Sequence, residues 1–145
     1  MTEEDKEYYM ALALEESAKS LPACRPNPPV GCVFVRNHEV VAKAYTQPPG
    51  HEHAEAMALR LYGKSLEDVS AFVTLEPCSF QGRTPSCALA LVAKGAKKVF
   101  VSVLDPHPGN RGEGIRVLRA AGVRVETGIL KERVMSFIDP YLTYS

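Results

Sequence analysis

The sequence predicts an α/β protein in which helices flank a mixed five-stranded sheet. Two observations support this prediction. From residue 53 onward, apolar segments of strand length alternate with helical segments, a pattern typical of parallel strands joined by helical crossovers. Before residue 53, two further strand-like segments are separated by only two residues, which indicates an antiparallel hairpin. A chain of 145 residues can bury one core, so we expect a single domain over 1–145.

The elements of the N-terminal half follow from apolar periodicity and from the prolines. Apolar residues at helical spacing, with Glu and Lys on the opposite face, predict a first helix over residues 3–20. The prolines of Pro22–Pro29 exclude a helix and predict either a stiff turn that fixes Asn27 for a ligand or a plain connecting loop. Two strands and their turn follow, at Val30–Arg36, Glu39–Tyr45 and Asn37-His38.

In the C-terminal half, a second helix over residues 53–62 ends at Gly63. The other expected elements are helices over 84–94, 112–121 and 130–138 and strands over 71–75, 99–103 and 123–127. The strand over 99–103 is very apolar, so we expect it at the centre of the sheet. Because ligand sites of open α/β sheets lie at the carboxyl ends of strands, we expect the site where the strand over 71–75 ends.

Two segments contain residue types that bind zinc. One offers the imidazole of His53 and the carboxylate of Glu55, and the other offers the thiols of Cys78 and Cys87. A zinc ion with three protein ligands keeps a position for water, whose pKa it lowers to roughly 7. A carboxylate that is not a ligand can then move protons. If Pro77 lies in the first turn of a helix, Cys78 lies near the positive end of the helix dipole, which favours a thiolate.

The same residues resemble the signature of zinc deaminases, His-x-Glu followed by Pro-Cys-x-x-Cys, although eight residues separate the cysteines here. The resemblance implies that His53, Cys78 and Cys87 bind Zn²⁺ and that Glu55 is the catalytic proton shuttle. Each residue also has an ordinary interpretation, since a His before a helix is usually a cap or surface residue and Cys is usually buried. His51 is a rival ligand, whose position in a loop favours a hydrogen bond or contact with solvent.

Charge and cysteine content restrict the function classes. The 17 basic residues balance 17 acidic residues, so no overall field favours a polyanion such as nucleic acid. No apolar run reaches transmembrane length, and no signal segment follows the acidic N-terminus, so we expect no membrane association. Four cysteines, two of them in the expected metal site, indicate a reducing cytoplasm in which Cys24 and Cys32 are free thiols.

The chain is similar to the cytidine deaminase-like superfamily, and more closely to the deaminase half of the bacterial riboflavin-pathway deaminase–reductase. The motifs that carry the resemblance are Tyr8-Tyr9-Met10, Asn27-Pro28-Pro29-Val30-Gly31-Cys32, His53-Ala54-Glu55, Thr74-Leu75-Glu76-Pro77-Cys78-Ser79, Gly82-Arg83-Thr84-Pro85 with Cys87, and Asp105-Pro106-His107-Pro108. The eight-residue interval between the cysteines is typical of that family. The resemblance implies a three-layer α/β/α cytidine deaminase-like fold.

The resemblance also implies a hydrolase that removes an exocyclic amine from an aminopyrimidine or a related nucleoside or nucleotide. The phosphorylated riboflavin intermediate, diaminohydroxyphosphoribosylaminopyrimidine, is the leading candidate. The implied substrate contacts are Asn27, Thr46, Phe80, Arg83, Asp105 and His107. An exposed loop charge at Arg83, and hydrogen bonds of Asp105 and His107 that only shape their loop, are the alternatives. A homo-oligomer, and a reductase supplied by a separate protein, are the expected partners.

Three positions depart from the family pattern. The family usually has His where Phe80 and Met57 stand, and often has His at the position of Thr46. These positions affect the choice of substrate and not the zinc chemistry, and Phe80 could stack on a ring.

Three other functions stay open. A deaminase of a base within RNA or DNA would need a basic surface, which the lysines and arginines between residues 94 and 124 could form unless they are solvated helix faces. A deaminase of another free nucleobase or nucleoside would use the same chemistry as the aminopyrimidine deaminase and differ only in its substrate. A non-catalytic zinc scaffold would need the zinc ligands but not Glu55.

Overall fold

The computed structural model describes residues 1–79 and 86–142, which contain five α-helices and five strands. The strands are β1 (Gly31–Arg36), β2 (Glu39–Tyr45), β3 (Ser70–Leu75), β4 (Lys98–Val103) and β5 (Arg124–Thr127). The helices are α1 (Glu3–Ala18), α2 (Ala54–Tyr62), α3 (Cys87–Ala93), α4 (Glu113–Ala120) and α5 (Lys131–Ile138), followed by a short 3₁₀-helix, Asp139–Tyr141. The predicted order and type of the elements are confirmed.

All five strands form one mixed sheet in the order β2-β1-β3-β4-β5. Strand β1 is antiparallel to both β2 and β3, whereas β3, β4 and β5 are parallel. The prediction that β4 is the central strand is wrong, because β3 occupies the middle position. Both β3 and β4 have buried side chains on both faces. An apolar sequence therefore identifies an interior strand but does not show which interior strand lies in the middle of the sheet.

The predicted hairpin is confirmed, including its turn. Asn37 and His38 both adopt left-handed backbone conformations, with φ of 50° and 62°. Positive φ at both central residues is the requirement of a type I′ turn, whose twist matches that of the paired strands. The turn fixes the register in which Arg36 faces Glu39.

Helices cover the two faces of the sheet, which gives the three expected layers. On one face, α1 packs Tyr9, Met10 and Ala13 against the sheet. On the other face, apolar residues of α2, α3 and α4 form a second buried cluster. Helix α1 lies directly on Gly31, where a Cβ atom would overlap the carbonyl group of Ala13. This close approach fixes where the proline-containing turn after α1 enters the sheet.

The free cysteines and the lengths of the helices bear on two further expectations. Cys24 and Cys32 are buried free thiols, as predicted. No helix within residues 1–79 and 86–142 is long and apolar enough to cross a lipid bilayer.

Candidate metal centre and active site

A cavity of about 270 Å³ opens where β3 and β4 end, the predicted edge of the sheet. It is lined by Asn27, Pro28, Val30, Thr46, His53, Glu55, Leu75, Glu76, Cys78, Asp105 and His107. Its volume is near the lower end of the roughly 300–1,000 Å³ that is usual for small-molecule sites. The cavity therefore suits one substituted ring and brings together most of the residues that the sequence singled out.

Three residues of this region form a group of metal donors. The ligand atoms of His53, Cys78 and Cys87 all lie within 4.8 Å of one another. The Nδ1 atom of His53 is 3.9 Å from the Cys78 Sγ atom and 3.4 Å from the Cys87 Sγ atom. A tetrahedral zinc ion with bonds of roughly 2.0 to 2.3 Å separates its ligand atoms by about 3.5 to 3.8 Å. The donor types and their spacing therefore fit zinc, whereas the rival His51 is exposed and lies outside this group.

The electrostatics of the group favour metal binding. Hydrogen bonds from the Cys87 thiol and from His53 hold the pKa of Cys78 well below its ordinary value. The pKa of Cys87 is raised, because its thiol bonds to Cys78 and because it is buried. One sulfur thus already favours the thiolate, and a divalent ion would displace the proton of the other.

His53 and Glu55 are positioned by the start of α2. His53 is the N-cap residue with an extended backbone, and Glu55 lies in the first turn with only 4% of its surface exposed. Burial raises the pKa of Glu55 to about 7, and the neighbouring Cys78 thiolate adds to this effect. A carboxyl group that gains and loses a proton near neutral pH is suited to general acid–base chemistry.

The condition that Pro77 lies in the first turn of a helix is not met. Pro77 and Cys78 lie in an irregular segment after β3, and α3 begins only at Cys87, with Ser86 as its N-cap. Proline is as compatible with extended backbone as with a first helical turn, so its presence did not decide between them. The Cys78 sulfur nevertheless meets a helix N-terminus, because the Cys87 N–H of α3 donates to it over 3.2 Å.

The carbonyl oxygen of Cys78 is also held by α3. It accepts hydrogen bonds from the Ser86 hydroxyl at 2.8 Å and from the Ala88 N–H at 3.1 Å. Backbone and side chain of Cys78 are therefore both fixed to the start of the helix that carries Cys87.

Glu76 is a site residue to which sequence reasoning gave no role. Its carboxylate is buried and accepts three backbone N–H groups, those of Asp105, Gly112 and Ile115, at 3.0 to 3.1 Å. Both oxygens are thus used to join the end of β3 to the loop after β4 and to the start of α4. An acidic residue at the end of a buried strand was the only signal for this role in the sequence.

The sequence left two roles open for Asp105 and His107, contact with a substrate and hydrogen bonds that shape their loop. The structure shows the hydrogen bonds. Asp105 accepts the His107 N–H at 3.0 Å and the side-chain amide of Asn110 at 3.3 Å. His107 accepts the Gly109 N–H at 3.0 Å through its Nδ1 atom. Because both residues also line the cavity, shaping the loop and contacting a ligand are compatible roles.

The remaining predicted substrate contacts differ in their placement. Asn27 is half-buried and lines the cavity. The Thr46 hydroxyl lines it too, but accepts the Val30 N–H at 3.2 Å and lies 3.5 Å from the Val30 carbonyl oxygen. Phe80 and Arg83 lie outside the described residues.

Comparison with known proteins agrees with this geometry. Residues 3–103 match a family described as the cytidine and deoxycytidylate deaminase zinc-binding region. The riboflavin biosynthesis protein RibD of Escherichia coli is 45% identical over 86% of this chain, which corresponds to 34% of that protein's length. A diaminohydroxyphosphoribosylamino-pyrimidine deaminase of Buchnera aphidicola is 36% identical over 90% of this chain and 88% of its own.

A solved structure extends the likeness to the fold. RibD of Acinetobacter baumannii superimposes with a TM-score of 0.93 at 38% identity, over 97% of this chain and 40% of that one. The chain thus spans 34% to 40% of the length of these RibD proteins. With the matching family over most of its length and a His–Cys–Cys group that fits the metal, the chain belongs to the cytidine and deoxycytidylate deaminases, a family of zinc-dependent hydrolytic deaminases.

Proposed function

We propose that this protein deaminates diaminohydroxyphosphoribosylaminopyrimidine, with zinc bound by His53, Cys78 and Cys87 and with Glu55 as the proton shuttle. One observation carries the proposal: the three metal donors lie together, and two of them, His53 and Cys78, line a cavity of single-ring size with the buried carboxyl group of Glu55. The substrate is supported by the Buchnera relative, which carries the name of that deaminase and aligns over nearly its whole length.

The reaction exchanges the exocyclic amine of the ring for oxygen from water and releases ammonia. When bound, zinc acts as a Lewis acid that activates water at neutral pH. Glu55 takes a proton from the attacking water and donates it to the ring nitrogen. It then moves the proton of the hydroxyl group added to the ring carbon to the amine, which leaves as ammonia when the C–N bond breaks. Asn27, Asp105 and His107 orient the ring from the cavity wall.

Thr46, Phe80 and Arg83 complete the proposed substrate contacts. Because the Thr46 hydroxyl is engaged by Val30, its contribution is to shape the wall. Arg83 is proposed to meet the phosphoribosyl group, and Phe80 to stack on a ring.

The test is ammonia release by the zinc-loaded protein, with Glu55→Gln as the comparison. We expect turnover of the phosphorylated aminopyrimidine to fall by a factor of about 10² to 10⁴ in the variant, because general acid–base catalysis is lost. Zinc content should stay at the wild-type level, since Glu55 is not a proposed ligand. A fully active variant would overturn the mechanism, and an inactive wild type that binds zinc would favour the non-catalytic scaffold.

A second candidate is deamination of another free nucleobase, nucleoside or nucleotide, which the departures at Phe80 and Thr46 favour. Met57, the third departure, packs against the apolar core and is not among the described residues that line the cavity. The dephosphorylated aminopyrimidine and free cytosine, guanine and adenine derivatives therefore belong in the same assay. Turnover of only these compounds would replace the proposed substrate while keeping the chemistry.

Deamination within RNA or DNA has less support. Of the basic residues proposed for such a surface, Arg116 pairs with Glu113, Arg119 donates to the Val125 carbonyl group, and Arg111 donates to that of Pro106. Arg116 and Arg119 thus make the bonds of a solvated helix face, and Arg111 makes a bond within its own loop. Single-stranded RNA and DNA complete the substrate panel, and turnover of either would support a deaminase that acts on nucleic acid.

We further propose that the protein acts in the cytoplasm as a homo-oligomer and that a reductase takes its product. These proposals rest on the resemblance to riboflavin-pathway enzymes. Sedimentation of the zinc-loaded protein checks the oligomer.

A further inference from the structure

We propose that Asn110 is a positioning residue of the metal centre, whose side-chain amide fixes the segment that carries Cys78 to the loop that carries Asp105. The inference rests on the proposed function, because it takes Cys78 to be a zinc ligand. It concerns a residue on a different loop from every proposed ligand, 32 positions after Cys78 in the sequence.

The Asn110 side chain is fully buried, and it bonds to three groups in the described part of the chain. Its Oδ1 atom accepts the Ser79 N–H at 3.0 Å. Its Nδ2 atom donates to the Pro77 carbonyl oxygen and to Asp105 Oδ2, each at 3.3 Å. An amide has one acceptor oxygen and two donor hydrogens, so these partners define its orientation and use both of its hydrogens.

The position of these partners gives the amide its proposed role. Pro77 and Ser79 flank Cys78 in the chain, so one side chain fixes the peptide groups on both sides of that residue. Cys78 itself is held from the α3 side through its carbonyl oxygen and its sulfur. Asn110 holds the same segment from the other side, and the Cys78 sulfur is thereby fixed relative to His53.

The third partner extends the effect to the substrate side of the cavity. Asp105 uses its Oδ1 atom for the His107 N–H and its Oδ2 atom for Asn110. The same amide therefore sets the carboxylate of a cavity-lining residue relative to the metal donors. Groups that orient metal ligands without touching the ion typically alter metal affinity or activity by about 10- to 100-fold when they are replaced.

The test is Asn110→Asp, which keeps the shape and the acceptor oxygen but replaces the donor NH₂ group by a second oxygen. That oxygen faces the Pro77 carbonyl group and the Asp105 carboxylate, so two attractive contacts become repulsive. The matched control is Asn37→Asp, the same chemical change at an exposed turn residue far from the cavity.

Zinc loss to a chelator is measured for both variants at a temperature where circular dichroism shows them folded. We expect zinc loss at least about tenfold faster in Asn110→Asp than in the control, together with a raised KM. If Asn110→Asp does not fold, Asn110→Ala, which removes the bonds without adding charge, is measured in the same way.

Different results would contradict the role of Asn110 and the proposed function. A variant that melts earlier but retains zinc and KM at the level of the control would overturn the inference, because Asn110 would then only stabilise the fold. Wild-type protein that binds no zinc, or Cys78→Ser protein that retains it fully, would instead overturn the proposed function.

Discussion

Two glutamates are buried in the wall of one cavity, and their partners give them different chemistry. Glu76 receives three backbone N–H groups, which occupy both of its oxygens. Glu55 lies beside a thiolate in a buried position that favours its protonated form. Burial and residue type are the same for both, so their partners distinguish the carboxylate that joins three backbone segments from the carboxyl group beside the metal donors.

Glu76→Gln should destabilise the protein. The amide NH₂ group would face a backbone N–H donor, which leaves buried groups unsatisfied, and we expect the free energy of unfolding to fall by about 2 to 4 kcal/mol. Urea denaturation measures this loss, with Glu67→Gln at an exposed position as the control. Equal stability of the two variants would contradict the structural role of Glu76.

Neither Glu76 nor Asn110 could be assigned a role from the sequence. Apart from Asp105, which is five positions from Asn110, their partners lie between 29 and 39 positions away, in segments whose juxtaposition depends on the folded sheet. His53, Glu55, Cys78 and Cys87 were predicted because their residue types and spacing carry a chemical signal. A side chain that acts on another loop carries no such local signal.

At the scale of elements, α4 determines where the segment that carries Cys78 can lie. A Cβ atom at Gly114 would overlap the carbonyl group of Pro77, so the helix backbone packs directly against that segment. The sequence predicted α4 but not this contact. It instead suggested a helix at Pro77, because a proline fits both a helix start and the extended path that the chain takes.

Gly114→Ala should therefore separate α4 from the Pro77 segment. The added methyl group meets a backbone atom that cannot rotate away, and we expect a loss of at least about 2 kcal/mol in unfolding free energy. Thermal or urea unfolding checks this. Gly109→Ala is the control, since among the described residues its methyl group would meet the side chain of His107, at 3.3 Å, and no backbone atom. A similar small loss in both variants would show that the close packing has little energetic weight.

At the scale of the whole molecule, zinc should contribute to stability as well as to chemistry. The donors come from the start of α2, the segment after β3 and the start of α3, so an ion bound to them links three parts of the chain. An ion bound only by the folded state raises its stability by about 4 kcal/mol at a thousand times its dissociation constant.

Removal of zinc should lower the melting temperature by about 8 °C or more, since each kcal/mol corresponds to roughly 2–4 °C in a chain of this size. Differential scanning calorimetry with and without a chelator measures the shift, and activity should disappear in parallel. The chelator should have little effect on Cys78→Ser. An equal shift in that variant would mean that the ion acts elsewhere.

The fold itself was largely predictable from the sequence. The hairpin was predicted to its turn residues because Asn37 and His38 satisfy a local backbone requirement. The order of β3 and β4 in the sheet was not predictable, since it depends on which of the parallel strands pairs with the hairpin.

That junction has a consequence for how such a site can diversify. Because β1 is antiparallel to β3, the start of β1 and the end of β2 reach the same edge as the ends of β3 and β4. Asn27 and Thr46 come from the hairpin side of this edge, whereas Cys78 and Asp105 come from the parallel side. Both sides of this edge therefore supply proposed ring contacts, and substitutions at Asn27 or Thr46 can change which ring is accepted without altering a proposed metal ligand.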